Sequence, residues 1–299
     1  MATLVCFGLG YTCEHYLARF GTRFDRVVGT ARTPEKAAAL TAARGAGQTH
    51  VLPFDGATAA LELSARIAQA DAALVSVPPG QDGDPVLRHF GAALGHSPRL
   101  RSIVYLSTIG VYGDTGGQWV DEASEARAGS PRSKARLAAE SAWQKFAADT
   151  GCALATLRLG GIYGPGRNAL ANLADGSAKR IVKPGQVFNR IHVADIAQAI
   201  DACFARKAQG VFNVADDEPA PPQDVIAFAA SLLEVTPPPE IPFDAVQAAM
   251  TPMAQSFYAE NRRVRNGKLK KELGVRLDYP TYRDGLRALF AAGDGRTQT

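Results

Sequence analysis

The chain has 299 residues, of which 46% are hydrophobic and 21% are charged, and its formal net charge at pH 7 is +4. A chain of this length and composition can bury a large core in one domain, or in one domain and a smaller second one. The small net charge gives no argument for binding to nucleic acid or to a membrane surface, so we expect neither as a partner.

The first predicted element, an apolar run at residues 4–7, leads directly into a glycine turn. Such a run is too short for a signal peptide, and no apolar run in the chain has the length of a membrane span. The four cysteines, Cys6, Cys13, Cys152 and Cys203, form no Cys-x-x-Cys pair and have no histidine cluster beside them. We therefore expect a reduced, cytoplasmic protein with neither a metal site nor a disulfide framework.

Short apolar runs alternate with Ala- and Leu-rich segments through the first half of the chain. The predicted strands cover residues 4–7, 26–30, 50–54, 72–77, 102–106 and 153–157. The predicted helices cover residues 11–20, 35–44, 59–69, 84–94 and 132–150. Parallel strands that are buried on both faces are continuous apolar runs, as these are. The alternation predicts an α/β fold with a doubly wound parallel sheet joined by right-handed crossovers.

The second half of the chain is less regular. A turn-rich loop at 160–166 is followed by a predicted helix near 193–205 and a predicted strand at 210–214. Prolines are frequent beyond residue 216 and indicate irregular packing between short helices. A last short helix is predicted at 267–273, with an asparagine before it and a glycine after it as caps.

These patterns predict two parts. We expect residues 1–160 to form a nucleotide-binding domain and residues 161–299 to form mainly a smaller C-terminal α/β cap that binds the substrate. The segment at roughly 190–215 is expected to return to the first domain.

The clearest binding motif is the turn after the first strand, with Gly8 and Gly10 ahead of a predicted helix that begins at Tyr11 and Thr12. In a Gly-x-Gly-x-x-Gly turn the first glycine permits the tight turn, and the second lets the backbone approach a pyrophosphate at the helix N-terminus. The third position is Cys13, whose small side chain is tolerable where the helix packs on the strand. The alternative is a purely structural turn. We also expect the cofactor site to include four residues of later loops, which are Val77, Pro78, Gly161 and Ile162.

The end of the second strand indicates which nicotinamide cofactor is preferred. An NAD site has an acid about twenty residues past the glycines, yet no Asp or Glu lies between Arg26 and Pro34. Arg32 is placed to pair with a 2′-phosphate, so we predict a preference for NADP, with NAD as the other possible cofactor. The alternative is that Arg32 is a solvated loop residue. Asp55, after the third strand, is a candidate for contact with the adenine or for capping the following helix.

Several short motifs resemble, in order and spacing, those of the extended short-chain dehydrogenase/reductases, also called the NAD-dependent epimerase/dehydratase family, and most closely its atypical members. The motifs are the glycine turn at 8–13, Ser107-Thr108 with Val111-Tyr112-Gly113, Leu157-Arg158 with Tyr163-Gly164-Pro165-Gly166, Arg190 to Ala197, Phe212-Asn213-Val214 and the tail from Asn266 to Gly274. The resemblance implies a Rossmann sheet, NAD(P) binding and a substrate oxygen bound by Thr108. The alternative for Thr108 is a buried threonine that ends a strand.

The resemblance also implies a Tyr-x-x-x-Lys pair on a helix, and that pair is absent. Aligning the stretch 137–140 with the family places Arg132 at the tyrosine and Arg136 at the lysine, whereas another register places Ser130 and Lys134 there. Arginine stays protonated and is no general acid or base, but it can stabilise a carboxylate, a phosphate or a developing oxyanion. The alternative is a solvated helix in which Arg136 pairs with Glu140.

If a proton must move, Tyr112, Tyr163 and His192 are the candidates, and His192 is more often structural in this motif. Three further arginines, Arg158, Arg167 and Arg190, are expected around the pocket and favour an anionic substrate. Tyr163, Arg167, Arg190 and His192 are accordingly predicted to contact the substrate, with Thr108, Tyr112, Arg132 and Arg136 in the catalytic set. A basic cluster at 262–271 is interpreted as a solvated surface.

Two functions follow. The first is an NADP-dependent oxidoreductase or epimerase with a rearranged site, acting on a small anionic or nucleotide-linked molecule. The second is a non-catalytic NADP-binding sensor or scaffold. A homodimer is expected by analogy with the family alone.

Overall fold

The structure is a computed structural model and describes residues 1–44, 48–58 and 61–296. Residues 59 and 60 of the predicted helix at 59–69 lie outside the described residues. Within the described ranges, no helix combines the length and the apolar character that crossing a membrane requires.

A seven-stranded parallel sheet forms the centre of the molecule. Its strands are β1 (Thr3–Phe7), β2 (Arg26–Ala31), β3 (Thr49–Pro53), β4 (Ala72–Val75), β5 (Ser102–Thr108), β7 (Ala153–Leu159) and β11 (Gly210–Val214), where β6 and β8 to β10 belong to small pairings described below. The spatial order is β11-β7-β5-β4-β1-β2-β3, and every pairing is parallel. The predicted doubly wound sheet is confirmed, and its strand order reverses between β1 and β4.

Helices cover both faces of this sheet. One face carries α1 (Tyr11–Phe20), α2 (Pro34–Ala43), α7 (Val193–Arg206) and α11 (Gly267–Leu273), and the other carries α3 (Leu61–Ile67), α4 (Pro85–Gly95) and α5 (Pro131–Thr150). Alternate side chains of each strand enter the two cores. Leu4 and Cys6 of β1 lie in the first core, whereas Val5 and Phe7 lie in the second. Burial on both faces is the physical reason that the strands read as unbroken apolar runs.

The second half of the chain adds a smaller helical layer beside the carboxyl ends of the strands. Helices α6 (Ala169–Ala174), α8 (Pro222–Leu233) and α12 (Tyr282–Ala291) share a third core. Three two-stranded pairings connect this layer: β8 (Gly161–Tyr163) with β10 (Arg190–His192), β9 (Arg180–Val182) with β12 (Glu240–Pro242), and β6 (Trp119–Val120) with β13 (Arg263–Val264). The short helices α9 (Phe243–Val246) and α10 (Pro252–Tyr258) complete it.

The caps of the last predicted short helix differ from expectation in one respect. Gly274 ends α11 with φ +62°, as a C-terminal glycine should. Asn266 precedes the helix, but its side chain donates to the carbonyl of Ala215 and to Asp217 instead of capping α11. The asparagine therefore ties the helix start to the loop after β11.

Candidate active site

The glycine turn between β1 and α1 has the geometry that a phosphate-binding turn needs. Gly8 has φ +84°, and a Cβ there would lie 3.1 Å from Cγ2 of Val77 on the loop after β4. Its N–H donates to Oγ1 of Thr30 at 2.8 Å, which fixes the turn against the end of β2. The turn therefore lies where the strand order reverses, the place at which open α/β sheets bind ligands.

Gly10 leaves the start of α1 open. A Cβ on Gly10 would meet no described atom within 4 Å, and no side chain caps the helix. The first N–H groups of α1 therefore face free space and can bind an anion. Cys13, at the third position of the motif, is fully buried within the core between α1 and the sheet, where a small side chain is required.

Arg32 and Asp55 lie beyond the ends of β2 and β3. Arg32 is exposed, and among the described residues no side chain pairs with it. The carboxylate of Asp55 accepts from the N–H of Ala57 at 2.8 Å, which lowers its pKa. That contact closes a local turn. Both side chains are exposed, so a ligand can reach them.

Of the other residues predicted to bind the cofactor, some line the main cavity and others lie outside it. Thr12, Gly161 and Ile162 line the main cavity. Tyr11 donates its hydroxyl to the carbonyl of Pro165 at 3.1 Å and so connects the start of α1 to the loop after β8. Val77 packs against Gly8, and Pro78 is exposed on the loop that follows it.

A cavity of about 780 Å³ lies between the carboxyl ends of the central strands and the smaller helical layer. On the sheet side it is lined by Thr12, Ser76, Thr108, Arg132 and Arg136. On the opposite side it is lined by residues of β8, β10, α6, α8, α10 and α12 and of the loops between them, among them Tyr163, Arg167, Arg190, Tyr258 and Tyr282. The cavity therefore extends from the end of the sheet that carries the glycine turn to the part of the chain predicted to bind substrate.

Thr108 ends β5 at this cavity. Its Oγ1 accepts from the N–H of Gly110 at 3.1 Å and so caps a short 3₁₀ turn, Ile109–Tyr112. The side chain is half-buried and lines the cavity, so the alternative of a threonine sealed in the core is not what the structure has.

The structure selects the register in which Arg132 and Arg136 face the cavity. Ser130 is the N-cap of α5, so both arginines follow within its first two turns. Lys134, of the other register, is exposed and lines a separate shallow depression on the surface. Arg136 donates to the hydroxyl of Tyr105 and to the carbonyl of Leu106, each at 3.0 Å.

Arg136 does not pair with Glu140, contrary to the solvated-helix alternative. Glu140 is 1% exposed and binds Arg158, with Nη2 and Oε2 2.7 Å apart, and it also accepts from the hydroxyl of Ser107. Arg158 is therefore a buried structural partner, and our expectation that it donates into the pocket is wrong. Arg132 is exposed at the cavity and has no ion-pair partner among the described residues.

Tyr112 is not placed to act on a substrate. The 3₁₀ turn after β5 carries it back into a small core, where it is fully buried and donates its hydroxyl to Oδ1 of Asn213 at 2.8 Å. Arg158 stacks on its ring with Cζ 4.8 Å from the centroid. Burial raises the pKa of Tyr112, and the cavity lining does not include it. The prediction that Tyr112 is catalytic is therefore corrected.

His192 is likewise a structural residue. Its Nδ1 accepts from the N–H of Ala194 and caps α7, while its ring lies between the rings of Tyr163 and Tyr279, with centroids 5.1 and 4.0 Å away. Burial lowers the pKa of His192 to about 4, so the ring is neutral at neutral pH. The residue does not line the cavity, which corrects its predicted role in substrate binding.

Tyr163 lines the cavity but is a poor proton carrier. It is buried, and burial raises the pKa of its phenol far above the ordinary value. Its hydroxyl is directed at the carbonyl of Thr281, 3.4 Å away, and not into open space. Tyr163 can therefore shape the cavity without exchanging protons at neutral pH.

The cavity is strongly basic. Within the described ranges six basic residues and one acidic residue line it, namely Arg132, Arg136, Arg167, Lys179, Arg190 and Arg262 against Glu260. Arg262 pairs with Glu260, whereas Arg190 donates only to the carbonyls of Phe188 and Ala220, both at 3.0 Å. Arg190 also lies in the field of the buried carboxylate of Asp216. The other four basic residues have no ion-pair partner among the described residues, so their charge is available to an anion.

Sequence reasoning missed Ser133, which is 7% exposed and lines the cavity beside Thr108. A serine in the first turn of a helix is typical of a cap, so no sequence signal distinguished it.

The basic cluster at 262–271, interpreted from the sequence as a solvated surface, contains side chains that contact other parts of the protein. Lys268 donates to the carbonyl of Val211, and Lys270 pairs with Asp217.

This combination of sheet, glycine turn and cavity defines a nucleotide-binding protein of the doubly wound α/β class. Comparisons with known proteins give its family. The model of the NAD dependent epimerase/dehydratase family matches residues 88–215. Residues 88–215 therefore carry a domain of the NAD-dependent epimerase/dehydratase family.

Individual relatives differ in how much they share with this chain. A protein of unknown function from Silicibacter pomeroyi DSS is 44% identical, with a TM-score of 0.86 over 98% of this chain and 100% of that one. A 3-diazoavenalumate denitrifying reductase from a Streptomyces species is 28% identical over 156 residues, which are 48% of this chain and 49% of that protein. The chain thus matches about half the length of that curated relative.

Enzymes solved with bound NAD share the fold. The UDP-glucuronic acid 4-epimerase from Bacillus cereus, solved in complex with NAD, has a TM-score of 0.74 at 16% identity over 97% of both chains. At this identity the likeness shows the fold alone.

Proposed function

We propose that the protein is an NADP-dependent oxidoreductase or epimerase that lacks the usual Tyr-x-x-x-Lys pair and acts on a small anionic or nucleotide-linked substrate. The observation that carries this proposal is the single cavity that joins Thr12 and Thr108 to Arg132 and Arg136. The name of the Streptomyces relative, a reductase, supports redox chemistry for the family branch to which this chain is similar.

The residues around the glycine turn fit a dinucleotide. Gly8 and Gly10 leave room for a pyrophosphate at the start of α1, since Gly10 has no atom where a Cβ would lie. Arg32, exposed and unpaired within the described chain, is suited to a 2′-phosphate because its planar guanidinium offers forked donors. A bound nicotinamide would supply or accept a hydride at the cavity. We propose that residues 1–160 hold this cofactor and that residues 161–299 mainly hold the substrate.

Charge at the cavity favours an anionic substrate. Arg132, Arg167 and Lys179 are exposed there without ion-pair partners among the described residues. Carboxylates, phosphates and diphosphates are the biological groups that such donors bind in forked geometry. An uncharged ketone of the same size would leave these charges without a counter-charge.

Arg132 and Arg136 act by charge and not by proton transfer. A guanidinium keeps its proton at neutral pH, so it cannot serve as acid or base. It can lower the free energy of an oxyanion that develops on a substrate held by Thr108. Arg136 is fixed for this task by Tyr105 and Leu106, whereas Arg132 is free to contact the substrate directly.

The test is oxidation of NADPH by the purified protein with aldehydes, ketones, keto acids and nucleotide sugars, followed at 340 nm with NADH in parallel. We expect turnover with an anionic member of the panel and a higher kcat/KM with NADPH. Tight NADPH binding without turnover of any member would contradict an enzymatic role.

The alternative is a non-catalytic NADP-binding sensor or scaffold. It is favoured by one observation: within the described chain no His, Asp or Cys lines the cavity, and burial raises the pKa of the lining residues Tyr163, Tyr258 and Tyr282. This alternative predicts a partner whose affinity depends on NADPH. A pull-down of partners that is the same with and without saturating NADPH would contradict it.

A further inference from the structure

Ser133 places a buried hydroxyl beside Thr108. It is 7% exposed and lines the cavity. Both side chains lie close to Gly110. A Cβ placed on Gly110 would be 3.1 Å from Oγ of Ser133 and 3.4 Å from Oγ1 of Thr108. The two hydroxyls therefore face one small volume at the carboxyl end of β5, where the family resemblance places the substrate oxygen.

Ser130 holds Ser133 in place and engages its oxygen. Oγ of Ser130 accepts from the N–H of Ser133 at 3.1 Å and donates to Oγ of Ser133 at 2.9 Å. Since a serine has one hydroxyl proton, that of Ser133 is left for another acceptor, and no described protein atom takes it. Ser130 is only half-buried, so it can exchange its own proton with water.

The neighbouring arginines favour negative charge on Ser133. Arg132 is the adjacent residue, and Arg136 lies three positions along α5, on the neighbouring part of the helix face. All three residues line the cavity. Positive charge in the same cavity lowers the free energy of an alkoxide there, so we expect the hydroxyl of Ser133 to be a better proton donor than a serine in water.

We propose that Ser133 is the residue that donates a proton to the substrate oxygen in place of the missing tyrosine, and that Ser130 resupplies it. This inference rests on the proposed reductase function. In carbonyl reduction, a bound reduced nicotinamide would supply a hydride to the carbonyl carbon, and the π electron pair of the C=O bond would move to oxygen. That oxygen would take the proton of Ser133, Ser133 that of Ser130, and Ser130 one from solvent.

The charge environment can be tested without any substrate. The four native cysteines lie in the two cores of the sheet and do not line the cavity, whereas Ser133 does. A thiol introduced by Ser133→Cys is therefore the one that reagent in the cavity can reach, with the wild type as the blank and Ser141→Cys, on the exposed side of the same helix, as the matched control. We expect the pH midpoint of iodoacetamide alkylation to lie about one unit or more lower for Ser133→Cys. Adding Ser130→Gly, which largely preserves helix capping, should raise that midpoint because it removes a donor to the thiolate.

Equal midpoints for the two thiols, or a thiol at position 133 that reacts at no pH, would overturn the proposal. Thermal unfolding of each variant verifies that it is folded. The second arm is kinetic, with a carbonyl compound that the wild type reduces with NADPH.

In that arm Ser133→Ala should lower kcat by about 100-fold or more with little change in KM, whereas Ser133→Thr, which keeps a hydroxyl, should retain most of kcat. Ser141→Ala should behave as wild type. Unchanged kcat in Ser133→Ala would overturn the serine relay and leave the proposed function standing. Absence of wild-type turnover across the panel would instead contradict the proposed function.

Discussion

We propose that Arg32 decides the choice of cofactor, because it is the only charged side chain between Arg26 and Pro34, a segment without an acid. Thr30, which occupies the end of β2, uses its Oγ1 to accept from the N–H of Gly8. It holds the turn and offers no carboxylate to ribose hydroxyls. In this proposal the discrimination between NADP and NAD depends on one exposed guanidinium.

The substitution Arg32→Glu should weaken NADPH binding about 10- to 100-fold, since a charge-assisted hydrogen bond to the phosphate contributes about 1.5–3 kcal/mol. NADH binding should change little or improve, because a carboxylate can accept from ribose hydroxyls. Isothermal titration at fixed salt measures both. Arg26→Glu, at the opposite end of β2, carries the same charge change and should leave both affinities unaltered. Equal NADPH binding by wild type and Arg32→Glu would exclude this role.

His192 should make the stability of the protein depend on pH. Burial depresses its folded-state pKa from 6.5 to about 4, so between these values the unfolded state binds more protons. The contribution is therefore present above pH 6.5 and is lost as the pH falls toward 4.

Between pH 8 and pH 4.5 the wild type should lose about 2 kcal/mol more than His192→Asn, which keeps an N-cap acceptor. Urea unfolding at both pH values measures this difference. The raised pKa of Asp195, about 6, acts in the opposite direction but is common to both proteins. Parallel pH profiles for the two proteins would contradict the assignment.

The errors in the predicted site have a common physical cause. Tyr112 and His192 lie in motifs at the carboxyl edge of the sheet, so chain position alone suggested that they face the substrate. The 3₁₀ turn after β5 directs Tyr112 to Asn213, and the cap of α7 directs His192 to Ala194. Chain position predicts the edge of the sheet, but local turns decide which side chains face the cavity.

Helix α5 is attached to the sheet by a buried polar network. Glu140 accepts from Ser107 of β5 and pairs with Arg158 of β7, and both members of the pair are less than 10% exposed. This attachment fixes the position of Arg132, Ser133 and Arg136 relative to the ends of β5 and β7. The orientation of the proposed catalytic face of α5 therefore depends on a residue that does not line the cavity.

Glu140→Ala should destabilise the protein by about 3–5 kcal/mol, because it leaves the guanidinium of Arg158 buried without a counter-charge. The double variant with Arg158→Met should recover part of this loss, since the unpaired charge is removed. Glu125→Ala breaks an exposed ion pair with Arg127 and should cost less than about 1 kcal/mol. Urea unfolding at pH 7 gives all three values. A loss in Glu140→Ala no larger than in Glu125→Ala would contradict the role of the network.

The long elements were predictable and the short ones were not. Strands such as β5 and β7 carry their own signal, since each is a continuous apolar run that both faces bury. The two- and three-residue strands β6, β9 and β13 have no such run, and they exist only because a distant segment pairs with them. Their positions follow from tertiary structure that no local pattern encodes.

The chain crosses several times between the sheet and the smaller helical layer. After β8 and β10 pair outside the sheet, the chain re-enters it as β11 beside β7. Later, β13 pairs with β6, and α11 packs on the same face of the sheet as α1. Neither part can therefore lose its structure without exposing core of the other, and the cavity between them is formed by both.

Unfolding should consequently be a single cooperative transition, and the two tryptophans can report it separately. Trp143 is buried in α5 against the sheet, whereas Trp119 lies in β6, paired with β13. In Trp119→Phe and in Trp143→Phe the remaining tryptophan fluorescence should give the same urea midpoint as the far-UV circular dichroism of that variant. If NADPH binds the folded state alone, as proposed, it should raise the fluorescence and dichroism midpoints together. Separate midpoints within one variant would show that the sheet and the helical layer unfold independently, which the crossings of the chain do not allow.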